Sequence, residues 1–348
     1  MKRVAVVGGG IFGTTAAIHA ARLGHEVHLF EKHNDLLQAA SRINQYRLHR
    51  GYHYPRSLDT ATSCRDAEYS FREEYSDAVM PDSRHLYGIA REGSRVSAEA
   101  FLAFCQANML QYQIVKVPDL INPDAADVVE VVETGFDFNI LLSLVRRKLS
   151  ETGVKVNLAA RVSGSIIDQF DKIVLAAYAG TNTFLADMGA ADGEYQYEVC
   201  EKPVVHLPAP FGRTDIVIID GPFMSVGPMG RTGAYVLGHV EHAIHFSNIG
   251  RHPRIPVPLR PYIDRGIIKS PTHTHFAQFV QSGKEFIPAI AQARHIGSMY
   301  TVRTVPPFCD DTDERPTLIT PISNKLIKIF SGKIGNCVEA ARIACSLI

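Results

Sequence analysis

The chain has no apolar run approaching the ~18 residues that a membrane-spanning helix needs. It has no paired cysteines. The six present, Cys64, Cys105, Cys200, Cys309, Cys337 and Cys345, are scattered, with no Cys-x-x-Cys and no metal-ligand spacing. That argues against a disulfide scaffold and a zinc module; reduced thiols in a cytoplasmic protein are expected, and no metal centre. Net charge is also missing, since 36 Lys and Arg balance 36 Asp and Glu. Nothing in the overall charge draws the protein to nucleic acid or an anionic membrane. Internal repeats and low-complexity tracts are absent. No targeting segment is expected ahead of an opening strand that begins at Lys2.

What is present suits a globular protein. At 348 residues the chain is too long for one compact core and predicts two domains. Lys2 to Val7 is a short apolar run. It breaks into Gly8-Gly9-Gly10-Ile11-Phe12-Gly13, continues as an Ala-rich helical pattern, and returns as a strand from Glu26 to Phe30, ending at Glu31. Each part serves a dinucleotide. Gly8 permits the tight turn, Gly10 lets backbone approach a pyrophosphate, and Gly13 lets helix and strand pack closely. The helix start favours phosphate charge. Glu31 is placed to accept from ribose hydroxyls and would repel the ribose phosphate of NADP. The motif alone leaves NAD and FAD open.

Further along, Leu36–Ser41 reads as a short helical stretch. Asn44 to Ser57 is polar, aromatic and basic together, with no clear period, as site-lining loops are. Helices are expected over Thr60–Tyr75, over Ser97–Leu110 with Ser97 as N-cap, and over Asp137–Glu151. Strands are expected at Val128–Thr134, Lys155–Leu158, Arg161–Ser165 and Asp171–Ala177. From Tyr195 to His245 alternating runs predict an antiparallel sheet. Residues 250–275 carry Arg251, Arg254, Arg260 and Arg265, either a solvated connection or a surface for an anionic partner. Thr272–Ile287 reads as a helix. Strands recur at Tyr300–Val305, Leu318–Thr320 and Lys325–Phe330, before Ser331-Gly-Lys-Ile-Gly-Asn336 and a final Ala-rich helix.

Several separated pieces resemble one family, the FAD-dependent oxidoreductases of the D-amino-acid oxidase and glycine oxidase type. The opening Val-Val-Gly-Gly-Gly-Ile-Phe-Gly with Glu31 is similar to its FAD motif. Asp171-Lys-Ile-Val-Leu-Ala-Ala-Tyr-Ala-Gly-Thr is similar to its second FAD-contacting strand, with Tyr178 where a small residue is more usual. Tyr300-Thr-Val-Arg303-Thr-Val-Pro-Pro is similar to a strand carrying a substrate-anchoring arginine, and Ser331 to Cys337 to the final glycine turn. The wording around His49 and Gly51-Tyr-His-Tyr-Pro-Arg is nearer to hydroxy-acid-type members.

The resemblance implies an α/β fold: a doubly wound Rossmann-like FAD domain with an inserted α+β substrate domain on a mainly antiparallel sheet. The FAD domain would take 1–80, 135–190 and 297–348, and the substrate domain 81–134 and 191–296. It implies a noncovalent FAD, since Cys337 does not match the motif that tethers flavin. The cofactor would be held by Gly8, Gly10, Ile11, Phe12 and Gly13, by Glu31, Lys32, Ser41 and Asn44, and by Val162 and Ala177. Gly332, Lys333, Ile334, Gly335 and Asn336 would complete the set at the flavin ring.

Flavin chemistry asks the protein mainly for orientation. An arginine fork matches a carboxylate, which makes Arg303 the candidate anchor; its alternative role is an ion pair with Asp310 or Asp313. His53, with His49 as rival, is the candidate base for an alcohol proton, whereas a neutral amine needs none. Lys333 would stabilise an anionic ring. His239 and His242 fall on the expected substrate sheet, where strand alternation would point them to opposite faces and exclude a shared metal. The expected activity is oxidation of a CH–NH bond beside a carboxylate, with oxygen or another acceptor restoring the flavin. The alternatives are 2-hydroxy-acid oxidation, C–N cleavage of a glycine-like group on a modified nucleotide base, and a flavin- or NAD-binding sensor without turnover.

Overall fold

The computed structural model describes residues 1–190, 193–208, 211–309 and 311–348. Its first sheet has six strands in the order Leu318–Pro321, Leu326–Phe330, Lys172–Leu175, Arg3–Val7, Glu26–Phe30, Lys155–Asn157, and only the edge strand Leu318–Pro321 runs antiparallel to its neighbour. Arg3–Val7 lies inside the sheet with Val4 to Val7 buried, which is why it reads as an unbroken apolar run. The chain leaves it for Glu26–Phe30 on one side and later returns to Lys172–Leu175 on the other. The gap between Arg3–Val7 and Lys172–Leu175 is therefore the topological switch point, where open α/β sheets hold their ligands.

Two helices cover one side. Ile11–Arg22 and Cys337–Ser346 share a core in which Ala16, Ala17 and Ala20 meet Ala340, Ala341 and Ala344, all fully buried. Small side chains let the two backbones come close; the Cys345 thiol lies 3.7 Å from the Ala16 carbonyl.

The second sheet has nine strands and is antiparallel except where Thr214–Ile219 pairs with Arg84–Ala90. Its long members, Tyr195–His206 and Arg294–Val305, pair along their lengths. Arg294–Val305 thus sits wholly in this sheet, although the expected FAD portion resumed at 297. A small third sheet joins Arg47–Leu48, Thr134–Phe136 and Val79–Met80. Asp137 ties the helix Phe138–Glu151 to the turn between the strands Met224–Pro228 and Tyr235–His239 of the nine-stranded sheet. Its Oδ1 caps the helix Phe138–Glu151 by accepting from the Asn139 and Ile140 amides at 2.9 and 3.1 Å, and its Oδ2 accepts from the Arg231 amide at 2.8 Å.

Three local expectations fail. Leu36–Ser41 is a series of turns, because Leu37 takes φ +58° and its amide donates to the Gly9 carbonyl. Arg161–Ser165 is no strand: the Ala159 and Ala160 amides donate to the His33 and Glu31 carbonyls, and a 3-10 turn follows from Gly164. The helix expected over Thr272–Ile287 shrinks to Phe276–Gly283.

Candidate active site

The opening turn, Ala176–Tyr178 and the closing turn lie at the carboxyl ends of three adjacent strands. At ~4.8 Å per strand, the first and last stand about 10 Å apart. The opening turn is built to expose backbone. Gly8 has φ +110°, and a Cβ there would lie 2.4 Å from the Ala176 carbonyl oxygen. A Cβ on Gly13 would lie 1.9 Å from the Gly8 carbonyl oxygen, so this contact admits only glycine. The helix that follows has Gly10 as N-cap, no side-chain cap and no acid in its first turn. The Ile11 amide donates to the Ser41 hydroxyl at 3.0 Å, while the helix leaves the Phe12 and Gly13 amides without intrahelical partners. Glu31 is buried, and its carboxylate accepts from the Gly9 amide at 2.6 Å and the His33 amide at 2.8 Å. Open amides at a helix start beside an anchored carboxylate fit a pyrophosphate, which accepts, and a ribose, whose hydroxyls donate. Val162 packs at the edge of the Ile166–Phe170 cluster, and Ala177 beside it. Lys32 is exposed, and Asn44 is engaged in its own loop, donating to the Ala40 and Ser41 carbonyls and accepting from the Tyr46 amide.

The closing turn is equally constrained. A Cβ on Gly332 would lie 2.1 Å from the Arg315 carbonyl oxygen, and one on Gly335 would lie 3.1 Å from Leu48. Asn336 donates to Ser63, and Ile334 packs on the main core. Lys333 stands over the Tyr54 ring with Nζ 4.6 Å from its centroid. No carboxylate among the described residues pairs with it, and burial, helped by Arg47, lowers its pKa to about 7.

His49 and His53 come together here, ring centroids 5.3 Å apart, with Tyr54 edge-on to both. Burial holds both histidines well below the usual imidazole range, with Lys333 adding to His49, and His49 then Lys333 adding to His53. Both are neutral at pH 7. His49 Nδ1, His53 Nδ1 and the Tyr54 hydroxyl are buried without hydrogen-bond partners. Three orphaned polar atoms beside an unpaired lysine fit the polar edge of an isoalloxazine, and the site as a whole fits FAD.

Arg303 lines the same crevice as Tyr178, Arg315, Gly332 and Lys333. Its ion-pair partner is Glu198, buried on the neighbouring strand, and not Asp313, which pairs with Arg315. Asp310 lies outside the described residues. Sequence reasoning missed Glu198, which no local pattern marks, and Arg315. It noted Tyr178 as an oddity; Tyr178 takes φ +50° and its hydroxyl accepts from the Thr304 amide at 2.9 Å, tying the second nucleotide strand to the Arg303 strand.

Beneath the histidines lies an ionic cluster that sequence reasoning also missed. Glu133 accepts from the Tyr87 hydroxyl at 3.0 Å and the Arg50 amide at 2.7 Å, with Arg47 Nε at 3.7 Å and His49 Nδ1 at 3.7 Å. Arg47 also pairs with buried Asp215. The only advance signal was Arg47 in the basic, aromatic loop.

His239 and His242 do not take the opposite orientations expected of them on a strand. The strand stops at His239, a turn follows, and the two rings stack 4.0 Å apart rather than facing opposite ways.

Among solved structures, the fold is similar to L-proline dehydrogenase from P. horikoshii, with TM-score 0.75, 14% identity and coverage of 99% of this chain and 92% of that one. It is also similar to glycine oxidase from Geobacillus kaustophilus, with TM-score 0.71, 15% identity and coverage of 100% and 94%. An FAD-dependent monooxygenase of Fusarium mangiferae is 26% identical over 99% of this chain and 90% of its own length. No helix among the described residues is long and apolar enough to cross a membrane. The profile described as FAD dependent oxidoreductase (DAO) matches residues 3–320, and the chain belongs to that family of FAD-dependent enzymes.

Proposed function

We propose that the protein oxidises a CH–NH bond of a small carboxylate-bearing amine or amino acid. The observation that carries this reading is the crevice wall, where Arg303, Arg315 and Lys333 line one space, with Lys333 over Tyr54, the ring that also packs against neutral His49 and His53. Bound FAD supplies the two-electron acceptor that takes hydride from the substrate carbon. In this reading the opening turn and Glu31 hold the dinucleotide, and the closing turn holds the ring end. Cys337 is buried beneath that turn with its thiol pushed up to about 12, which supports a noncovalent cofactor. Arg303 orients the carboxylate with the N–H groups that its contact with Glu198, made through Nε and Nη2, leaves open. The substrate amine binds neutral and uses its own lone pair to form the C=N bond. Hydrolysis then gives a carbonyl compound and ammonia or an amine.

A second reading is CH–OH oxidation. The specific support is that His49 and His53 are held neutral and lack partners at Nδ1, so either accepts an alcohol proton. An anaerobic screen of amino acids, N-substituted glycines and 2-hydroxy acids separates the two. Flavin bleaching by an amine with release of ammonia or amine is the expected result. Bleaching by hydroxy acids alone moves the assignment to the second reading, and a product that carries labelled oxygen once 18O2 is admitted to the reduced mixture moves it towards the monooxygenase named among its relatives. The anchor is tested by Arg303→Gln combined with Glu198→Gln, which leaves no orphaned carboxylate. Losing a charge-assisted pair of about 2–3 kcal/mol raises KM for carboxylate substrates roughly 30–150-fold. An unchanged KM removes Arg303 from that role.

A further inference from the structure

Strand alternation puts Lys202 and Glu201 on opposite faces of the nine-stranded sheet, so Glu201 lies on the face away from the Arg303 crevice. There it is fully buried and gathers side chains from three segments. Its Oε2 accepts from His245 Nε2 at 2.8 Å and from the His275 amide at 2.8 Å; its Oε1 accepts from the Thr274 hydroxyl and from Tyr300 at 3.2 Å. The His245 and His275 rings stack 3.9 Å apart at 14°. One ligand atom from each of Glu201, His245 and His275 lies within 4.8 Å of the others.

A structural Glu–His pair explains His245. It leaves His275 unexplained. The His275 Nδ1 donates to the His242 carbonyl at 2.9 Å, which fixes the tautomer and leaves the Nε2 lone pair unspent. A backbone carbonyl holding the far nitrogen is the usual support behind a metal-bound histidine, and hydrogen bonds to the ligating carboxylate are its counterpart. His275 is partly exposed, which gives an ion a way in.

We propose that Glu201, His245 and His275 bind one divalent ion of the Zn2+ class, with water in the fourth position. Tetrahedral bonds of about 2.0–2.1 Å put ligand atoms roughly 3.3 Å apart, so Glu201 and His245 separate slightly to admit the ion, His245 changing tautomer so that its proton sits on Nδ1 and Nε2 is free to bind, while His275 closes in. The ion clips the strands Tyr195–His206 and Ile244–Gly250 to the segment that enters the helix Phe276–Gly283. It serves the fold of the substrate sheet, independently of the flavin.

The test uses untagged, flavin-loaded protein dialysed against a chelator and titrated with Co2+, followed by displacement with Zn2+. The expected result is one equivalent with an intense visible d–d band, lost on adding Zn2+, and a higher melting temperature with Zn2+ present. His275→Ala weakens uptake by at least about 10-fold and abolishes the melting shift, while flavin content stays the same. His206→Ala, an exposed histidine outside the ligand set, leaves both unchanged. A stoichiometric band of equal strength in His275→Ala overturns the proposal. Should that variant not fold, a wild-type protein that develops no intense band overturns it alone.

Discussion

At Gly8–Gly13 the chain presents backbone and one anchored carboxylate; at Arg47–Tyr54 and Lys333 it presents buried side chains, some paired and some not. At the first place binding strength comes from amides and a helix start, and the residue types follow from sterics. At the second it comes from charge kept out of water, so each group is tuned by its neighbours. The two ends therefore break in different ways. Damage at the nucleotide end is a clash that no side chain can relieve. Damage at the ring end is an electrostatic imbalance that spreads through the groups sharing it.

The sharpest way to expose that contrast is Gly13→Val. With a Cβ already 1.9 Å from the Gly8 carbonyl oxygen, the helix must move off the strand, and the purified protein is expected to be colourless or insoluble. Gly10→Ala is the companion, since its Cβ meets only the Ser41 hydroxyl, at 3.3 Å. It should fold and hold flavin more weakly. Flavin absorbance per protein and the urea midpoint read both. Equal flavin content in Gly13→Val and wild type would erase the distinction between the two ends.

The next effect in size lies at the ring end. Glu133 is 3% exposed and serves Tyr87, Arg47 and the Arg50 amide, so Glu133→Ala leaves Arg47 with Asp215 as its one carboxylate partner among the described residues and strips Tyr87 of its acceptor. Breaking a buried ion pair from one side costs about 3–5 kcal/mol. Chemical denaturation should show a loss of that order, with flavin content falling only in proportion to unfolded protein. A loss under about 1 kcal/mol would mean that water or relaxation already satisfies Arg47.

The same contrast explains what could be read in advance. The glycine turn, its helix and Glu31 lie within thirty-one residues, and each glycine answers a local steric need; that end was legible. Secondary structure was legible where periodicity was long, as in Leu58–Glu74 and Phe138–Glu151, and where a cap was local, as at Ser97, whose hydroxyl accepts from the Ala100 amide. The ring end draws Arg47, Glu133, Asp215, Glu198 and Lys333 from points far apart in the chain, and no spacing rule connects them. The failed helix at Leu36–Ser41 and the shortened one after Thr272 share a cause. In both, polar groups are spent on tertiary partners, the Gly9 carbonyl in one case and Glu201 in the other.

Lys333 gives the smallest effect, and it isolates a single charge. In the folded protein its pKa lies at about 7, against 10.5 for an ordinary lysine, with burial as the main cause. Between those values the unfolded chain holds a proton that the folded protein does not. Stability of the flavin-free protein must then rise with pH across that window, and the cost of charging the lysine is present in full below it. Because Lys333 is partly open to solvent, the slope is expected to be shallow. His49 and His53 add a slope of the same sign, but only below 6.5, where the unfolded histidines take up protons that the buried ones refuse. Lys333→Met keeps an unbranched side chain over Tyr54 and removes the charge. The variant should be the more stable below pH 7, and its advantage in urea midpoint should shrink across pH 7 to 10 and stay constant between 5 and 6.5. Parallel curves throughout would show that this lysine is already charged and solvated in the folded protein, and that the ring end lacks the buried, unpaired cation that sets it apart from the nucleotide end.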